Sequence, residues 1–438
     1  MRRSAKRADS LRALLLVTLM AVACSAAAAA RRPAVNVPVP APALAVKAAR
    51  SPRDASARIV RIGLAEGQAQ VRLSSSGGWR LFGADGTTPV AMTEPGERWI
   101  LERDGRSVRA QREDSRPVSA RGQTVLARPT DAHGDITFNG KRWRGELVIT
   151  ATSEGLLVVN RLLMDDYLKG VVPLEIGATS SLEEAAVEAQ AVTARSYAVT
   201  HLAGADRPYD MRATVQDQVY GGMNAETSVA TIAVDATSGL VLLYGGRVVN
   251  APYSSTCGGS TAEPQDVWNA SPEPYLKRVS DQIPGTAHFY CEGASRYRWS
   301  RAFGREELRE NITRYMRTLG GNGGAINAVR SVAVTDVTAA GRVATLTVQT
   351  DRGTITMHGN EMRSALRLAS GELLYSTYFS VDAVTARDGV ETLTLRGGGN
   401  GHGVGMCQAG AIGRARAGQD FRTILRTYYP GTTVGTIG

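Results

Sequence analysis

A single glutamate has the sequence context expected of a general acid. Glu175 follows Pro173 and Leu174 and precedes Ile176. Pro173 disfavours a helical conformation at Val172, so we predict that a strand ends there and that Glu175 lies on the next connection, where functional groups are often displayed. Apolar surroundings raise the pKa of a carboxyl group because they disfavour its charged form. The pattern predicts a carboxyl group that keeps its proton near neutral pH, and an ordinary exposed loop acid is the alternative.

The cysteines leave two kinds of site open. Cys257, Cys291 and Cys407 lie in the C-terminal half of the chain. In an exported chain we predict a disulfide between Cys257 and Cys291, with Cys407 as a small buried residue. The alternative is a zinc site that uses Cys257, His288 and Cys291. Zinc needs four ligands and no Cys-x-x-Cys pair is present, so we predict neither a metal nor another cofactor.

The N-terminus has the pattern of an export signal. A largely apolar run over residues 13–23 ends at Cys24 and is preceded by five basic residues, Arg2, Arg3, Lys6, Arg7 and Arg12. The run is shorter than the roughly 20 residues of a membrane span, which favours a secretory signal peptide over residues 1–23. Small residues before Cys24 also resemble a lipoprotein box, so lipidation of Cys24 and ordinary cleavage both remain open. We therefore expect the periplasm or cell envelope, with any membrane attachment made only through a lipid at Cys24.

The segment after the signal differs in composition from the rest. Residues 24–57 are rich in Ala and Pro without a sustained period, which predicts a disordered tether. The chain carries a formal net charge of +10, and this basicity suits an anionic polymer although it also serves solubility. No nucleic-acid motif is present, so we expect no nucleic-acid partner.

Short alternating apolar segments bounded by Gly or Ser begin at residue 58 and predict antiparallel strands. The clearest helix is predicted from Leu182 to Leu202, where Ser181 and Glu184 form a capping box. Further helices are predicted over 305–319, 406–417 and 421–428. Strands and helices mix without regular alternation, so we predict an α+β fold with mixed, largely antiparallel strands and several helices around a substrate cleft. We place one domain at 58–438, with a β-rich part at 58–145 and a catalytic part at 146–438.

Five stretches occur in the order typical of one family of cell-wall proteins. They are Asp166-Tyr167-Leu168-Lys169-Gly170-Val171-Val172-Pro173-Leu174-Glu175, then Glu188-Ala189-Gln190-Ala191-Val192-Thr193-Ala194-Arg195-Ser196-Tyr197-Ala198, then Gln218-Val219-Tyr220-Gly221-Gly222, then Tyr253-Ser254-Ser255-Thr256-Cys257-Gly258-Gly259-Ser260-Thr261, and finally Gly401-His402-Gly403-Val404-Gly405-Met406-Cys407-Gln408-Ala409-Gly410-Ala411. The ordered set resembles the SpoIID (stage II sporulation protein D)/LytB family, whose domain is that of peptidoglycan lytic transglycosylases.

The resemblance implies cleavage of glycan strands between N-acetylmuramic acid and N-acetylglucosamine, with Glu175 as the general acid/base. A lytic transglycosylase uses the C6 hydroxyl of muramic acid as its nucleophile, so a single acid suffices and a 1,6-anhydro end is formed, whereas a hydrolase normally needs a second carboxylate. The implied partners are peptidoglycan glycan strands and a cell-wall amidase. A non-catalytic, peptidoglycan-binding amidase enhancer of the LytB kind is the alternative function.

The resemblance also implies a set of residues that bind substrate or brace the cleft. We take these to be Gln190, Arg195, Tyr197, Gln218, Tyr220, Ser254, Ser255, Thr261, His402 and Gln408. For His402 we favour a hydrogen-bonding or proton-positioning role, and a structural histidine is the alternative. Arg195 is alternatively a helix surface charge, and Tyr197 a core aromatic. The sequence departs from the family where Ile176 follows Glu175 and where residues 177–181 lack the usual Trp-Pro.

Overall fold

The computed structural model describes residues 55–113, 120–177, 180–268, 270–320 and 325–437. Cys24, the predicted signal peptide and nearly all of the predicted tether lie outside these residues. The described chain mixes helices with mostly antiparallel strands, so the predicted α+β fold class is confirmed. Among the described residues, every helix is too short or too polar to cross a bilayer.

The helices lie mainly in the middle and at the C-terminal end of the described chain. The α-helices in the described ranges are α1 (Met164–Ile176), α2 (Glu184–Thr200), α3 (Ser228–Ala236), α4 (Pro264–Trp268), α5 (Arg305–Thr318), α6 (Glu361–Ala365), α7 (Gln408–Arg416) and α8 (Phe421–Tyr428). Short 3-10 turns cover Ala55–Ala57, Ser181–Glu183 and Gly222–Ala225. The helices predicted over 305–319, 406–417 and 421–428 are present within a few residues of their expected ends.

The strands are short and numerous. In chain order they are β1 (Ile59–Gln68), β2 (Gln70–Ser74), β3 (Trp79–Phe82), β4 (Pro89–Thr93), β5 (Trp99–Asp104), β6 (Ser107–Arg112), β7 (Ala120–Gly122), β8 (Thr124–Pro129), β9 (Ile136–Phe138), β10 (Lys141–Trp143), β11 (Glu146–Thr152), β12 (Gly155–Leu163), β13 (Met211–Arg212), β14 (Val241–Tyr244), β15 (Arg247–Val248), β16 (Tyr253–Ser254), β17 (Trp299–Gly304), β18 (Val329–Val337), β19 (Val343–Thr350), β20 (Gly353–His358), β21 (Phe379–Ala386), β22 (Gly389–Gly397), β23 (Met406–Cys407) and β24 (Thr433–Gly435).

Two antiparallel sheets form the N-terminal part. One has the order β13-β1-β12-β11-β8-β3-β4 and the other β10-β9-β2-β5-β6-β7, and only the β1–β13 pair is parallel. Alternate residues such as Val60 and Ile62 on the first sheet and Val71 and Leu73 on the second are buried in one shared core. The period of two places one apolar face of each sheet inward. The sheets therefore pack against each other as expected from the alternating sequence.

Helix α2 lies at the centre of the helical layer. It packs against α1, α3, α7 and α8, and its alanines Ala189, Ala191 and Ala194 are fully buried. Small side chains allow neighbouring backbones to approach closely. The predicted capping box is present one residue earlier than expected, because Ser180 and Glu183 form it and a 3-10 turn precedes α2.

A second hydrophobic core lies in the C-terminal half. It is built by the sheets β17-β22-β21 and β18-β19-β20 together with α5 and α6, and its residues run from Trp299 to Leu395. The chain then returns to the first core through β23, α7 and α8. The predicted catalytic part at 146–438 is thus divided between two cores, because a segment with its own apolar residues interrupts it.

Candidate active site

Glu175 lies in the last turn of helix α1, which ends at Gly177 in the left-handed conformation (φ 62°). The predicted strand end at Pro173 is wrong, since the helix continues through the proline. The buried residues of α1 include Met164, Tyr167, Leu168, Val171 and Val172, which have helical spacing. Burial of this face against the core outweighs the local preference of the Val-Val-Pro sequence. Glu175 is therefore held on a rigid element.

Three groups from distant parts of the chain contact the carboxylate of Glu175. The backbone N–H of Val219 donates to Oε1 over 2.8 Å, and the side chains of Gln408 and Tyr253 form further hydrogen bonds. Burial raises the pKa of Glu175 above its ordinary value, and these three hydrogen bonds offset part of that rise. Its position in the last helical turn acts in the same direction as burial, because the C-terminal end of a helix disfavours negative charge. The site favours a protonated carboxyl group.

Amides and phenols surround these partners. Gln408 Nε2 donates to Gln190 Oε1 over 3.2 Å. Gln218 Nε2 donates to the Tyr253 hydroxyl over 3.0 Å, and the Tyr167 hydroxyl donates to Gln218 Oε1 over 3.2 Å. All of these side chains are neutral, so they orient the carboxyl group without supplying a charge that would ionise it.

A short parallel pair of strands positions two of the three contacts. In the β16–β23 pair Tyr253 lies opposite Met406 and Ser254 opposite Cys407. Gln408 follows directly as the first residue of α7. The turn after Tyr253 and the glycine-rich loop that carries His402, about 150 residues apart in sequence, therefore meet beside Glu175.

Two buried polar atoms near this network have no hydrogen-bond partner among the described residues. They are Ser254 Oγ and Gln190 Nε2. An unsatisfied buried donor or acceptor costs about 1–3 kcal/mol. Both atoms are shielded from solvent, so a sugar does not reach them in this arrangement of the chain.

Tyr197 lies beside the carboxyl group. Its ring stacks on His201 at a centroid distance of 3.9 Å and meets the Tyr253 ring edge-on at 6.4 Å. Burial raises the pKa of Tyr197, and the charges of Asp217 and Glu175 raise it further. Tyr197 is therefore close enough to Glu175 and Asp217 for their charges to act on it.

His402 contacts the backbone on both sides of its ring. Its Nδ1 accepts from the N–H of Val404 over 3.1 Å, and the ring also hydrogen-bonds the backbone of Tyr253. Burial lowers the pKa of His402 to about 3, and Arg363 and Arg342 add to this shift. His402 is therefore neutral, and its ring is held by backbone groups of Val404 and Tyr253.

Arg195 is fully buried, which argues against the predicted substrate contact. Its guanidinium pairs with Asp165 over 2.8 Å and also donates to the carbonyl groups of Val234, Thr237 and Leu240. These bonds join α1 and α2 to the end of α3. Arg195 therefore links three helices, and these contacts satisfy the donors of its buried guanidinium group.

Tyr220 and Thr261 are also structural. Tyr220 packs between Trp143 and Tyr167, at 5.3 and 4.9 Å, and its hydroxyl donates to Asn160 over 2.9 Å. Thr261 Oγ1 accepts from the N–H of Val279 over 2.7 Å and is buried. Neither side chain is free to contact a sugar. Ser255, by contrast, is exposed beside the site.

The cysteine predictions need correction. Cys257 and Cys291 are neighbours, but their sulfurs are 3.7 Å apart and both are free thiols, whereas a disulfide bond is about 2 Å long. The predicted alternative ligand His288 is exposed and its Nδ1 contacts Glu292 over 3.0 Å. Cys407 is buried as predicted, and its sulfur lies with the other two.

Sequence reasoning missed several residues of this site. Tyr167, the N–H of Val219 and Asp217 were not selected, although all three lie inside or next to the matched stretches. Asp217 accepts from the N–H of Arg212 over 2.8 Å. Only their contacts in the folded chain distinguish these positions from their neighbours.

Comparisons with known proteins find two family models that match parts of the chain. The family model for the stage II sporulation protein matches residues 152–244, which include α1, Glu175 and α2, and a domain of unknown function (DUF8618) matches residues 283–405. An uncharacterized protein of Brachyspira hyodysenteriae is 31% identical over 303 residues, covering 68% of this chain and 74% of the relative.

Two named relatives come from Bacillus subtilis. The amidase enhancer is 31% identical over 291 residues, covering 61% of this chain and 40% of the relative. Stage II sporulation protein D is 28% identical over 293 residues, covering 63% of this chain and 75% of the relative. The chain belongs to the SpoIID family of cell-wall-related proteins.

Proposed function

We propose that this chain is an exported peptidoglycan lytic transglycosylase. The observation that supports it best is the partly buried carboxyl group of Glu175, whose pKa is raised and whose contacts are neutral hydrogen-bonding groups. A general acid needs a pKa close to the working pH so that it carries a proton and can still release it. Its place is the periplasm or cell envelope, where it is either free after cleavage of the signal peptide or held by a lipid at Cys24.

In the proposed reaction the Glu175 carboxyl group donates its proton to the oxygen that links muramic acid to N-acetylglucosamine. The bond from that oxygen to C1 of muramic acid breaks, and the C6 hydroxyl oxygen of the same sugar bonds to C1. The Glu175 carboxylate then takes the C6 hydroxyl proton and returns to its starting state. No water is consumed, so one carboxyl group completes the cycle where a hydrolase would need two.

The test is to incubate the purified chain with intact peptidoglycan and with glycan stripped of its peptides, and to analyse the released saccharides by mass spectrometry. We expect 1,6-anhydro-muramic ends, and a rate at least about 10²-fold lower for Glu175→Gln. Glu184→Gln is the matched control, because Glu184 is an exposed acid on α2. Saccharide release that Glu175→Gln leaves unchanged would refute the assignment of the acid.

The relative named amidase enhancer supports a second candidate function. Here the chain would bind peptidoglycan and stimulate a cell-wall amidase without cutting glycan. The same preparations distinguish the two functions when an amidase is added. Equal stimulation by the wild type and Glu175→Gln, with no anhydro product from either, would favour the enhancer.

A further inference from the structure

Four potential metal ligands converge in the first core, outside the contacts of Glu175. Cys257, Asp281, Cys291 and Cys407 are all buried, and their ligand atoms lie within 4.8 Å of one another. Cys257 lies in the turn after β16, and Asp281 and Cys291 lie in the segment between α4 and β17. Cys407 directly precedes α7. Four separate points of the chain therefore supply one atom each to the same small volume.

The spacing of these atoms fits one tetrahedral ion. Zinc–sulfur bonds of about 2.3 Å place the sulfurs of a tetrahedral site about 3.8 Å apart, and Cys257 Sγ and Cys291 Sγ are separated by 3.7 Å. Cys257 Sγ lies 3.2 Å from Asp281 Oδ2. Three sulfurs and one carboxylate oxygen supply the four ligand atoms that a closed tetrahedral zinc site needs, and both atom types bind zinc.

Asp281 is held so that one oxygen is available to the cluster. Its Oδ1 accepts from the Tyr428 hydroxyl over 2.6 Å and from Arg414 Nη2 over 3.2 Å, while Oδ2 faces Cys257. A β-carbon at Gly410 would lie 2.2 Å from Asp281 Oδ2, so glycine is required for α7 to approach this closely. Hydrogen bonds from groups that do not bind the metal themselves, such as those of Tyr428 and Arg414, orient metal-binding carboxylates.

Backbone donors point at the sulfurs. Cys407 Sγ, at the N-terminal cap of α7, accepts from the N–H groups of Cys257 and Gly410 over 3.2 and 3.3 Å. Cys257 Sγ accepts from the N–H of Gly259 over 3.4 Å. Burial raises the pKa of both thiols, and the N–H groups and the helix N-terminus act in the opposite direction because they favour thiolate over thiol.

Charge balance gives an independent argument. Arg342 is almost fully buried and donates to the carbonyl group of Cys257 over 2.9 Å, but its Nε and Nη1 have no hydrogen-bond partner among the described residues. Three thiolates and the Asp281 carboxylate carry four negative charges, which a divalent ion and the guanidinium groups of Arg342 and Arg414 neutralise. A Cys257–Cys291 disulfide would instead leave two buried cations facing a single carboxylate, which is costly.

We propose that Cys257, Cys291 and Cys407, with Oδ2 of Asp281, bind one Zn²⁺ ion. Binding converts the three thiols to thiolates and releases their three protons. With four protein ligands the site is closed and therefore structural. It ties the turn that carries Tyr253 to the residue before Gln408, and so stabilises the arrangement of both side chains around Glu175.

The experiment uses the full chain with Cys24→Ser, isolated from the cell envelope without added metal, so that every thiol counted comes from the cluster. Elemental analysis should find about one zinc per chain, lost in Cys407→Ser and Asp281→Asn and kept in the control His288→Ala. Replacement of the ion by Co²⁺ should produce the charge-transfer and visible bands of a tetrahedral thiolate site. This cobalt spectrum needs no variant, so the test survives if a cysteine variant does not fold.

Each other outcome overturns the proposal. A metal-free chain that is lighter by two hydrogens than its reduced form would mean that Cys257 and Cys291 form a disulfide. A metal-free chain with three reactive thiols would mean that the cluster is only a buried thiol group. Loss of zinc from His288→Ala, or retention in Asp281→Asn and Cys407→Ser, would refute the ligand set, and a different bound metal would refute the choice of ion.

Discussion

The N–H of Val219 donates a hydrogen bond of 2.8 Å to Oε1 of Glu175, across 44 residues of sequence. The bond joins the end of α1 to the segment that also carries Gln218, whose amide holds the Tyr253 hydroxyl. The N–H of Val219 and the side-chain amide of Gln218 thus fix Glu175 and Tyr253 relative to each other.

Tyr253→Phe should move the alkaline limb of the activity profile to higher pH. The Tyr253 hydrogen bond lowers the pKa of Glu175, while burial raises it, so removing the bond raises the pKa further. Because a general acid must be protonated, activity falls as the pH rises through the pKa of Glu175. Rates of saccharide release measured across pH check this. Tyr244→Phe, at an exposed tyrosine, should leave the limb in place, and an acid shift in Tyr253→Phe would contradict the proposed bond.

Asp217→Asn should retain most of the lytic activity. The charges of Asp217 and Glu175 both raise the pKa of Tyr197. Asp217 is therefore the acid to test as a second catalytic carboxylate. The proposed single-acid reaction does not use it. Product analysis by mass spectrometry, with Glu175→Gln alongside, is the measurement. If Asp217→Asn abolishes activity as fully as Glu175→Gln does, a two-carboxylate hydrolysis would replace the transglycosylase assignment.

Arg195→Met should reduce the free energy of unfolding by roughly 3 kcal/mol, because it removes one partner of a buried ion pair and leaves Asp165 uncompensated. Urea unfolding gives the value, and Arg207→Met, at an exposed arginine, should change it by less than about 0.5 kcal/mol. The KM of the folded variant for glycan should stay unchanged. A raised KM without loss of stability would restore Arg195 as a substrate contact.

His402 should remain neutral throughout the working range of pH. Its pKa in the folded chain is about 3, against about 6.5 for an unperturbed histidine. The stability that the neutral ring contributes is therefore complete above about pH 6.5 and is lost as the pH falls towards 3. Proton NMR of the ring, assigned with His402→Asn, should show no titration above pH 5 in the folded chain and normal titration in urea. Titration of the folded signal near pH 6.5 would disprove the buried, neutral state.

The amino-acid sequence was sufficient for the class of fold and the ends of several helices, and it predicted Glu175 as the acid. Alternation and helical period are local, and the ordered stretches from residue 166 to residue 411 identify the family without coordinates. The strand predicted to end at Pro173 was wrong because a local backbone preference of the Val-Val-Pro sequence gave way to burial of one helical face.

Only the tertiary structure decided what each selected residue contacts. Whether a carboxyl group keeps its proton depends on desolvation and on hydrogen-bond donors, and those of Glu175 come from Val219, Tyr253 and Gln408. The same holds for Arg195, which the fold buries against Asp165, and for Cys407, which it brings to the other cysteines. Electrostatic and hydrogen-bonding energies act over a few ångströms in space, and the segments that meet at these sites are separated by up to about 230 residues of chain.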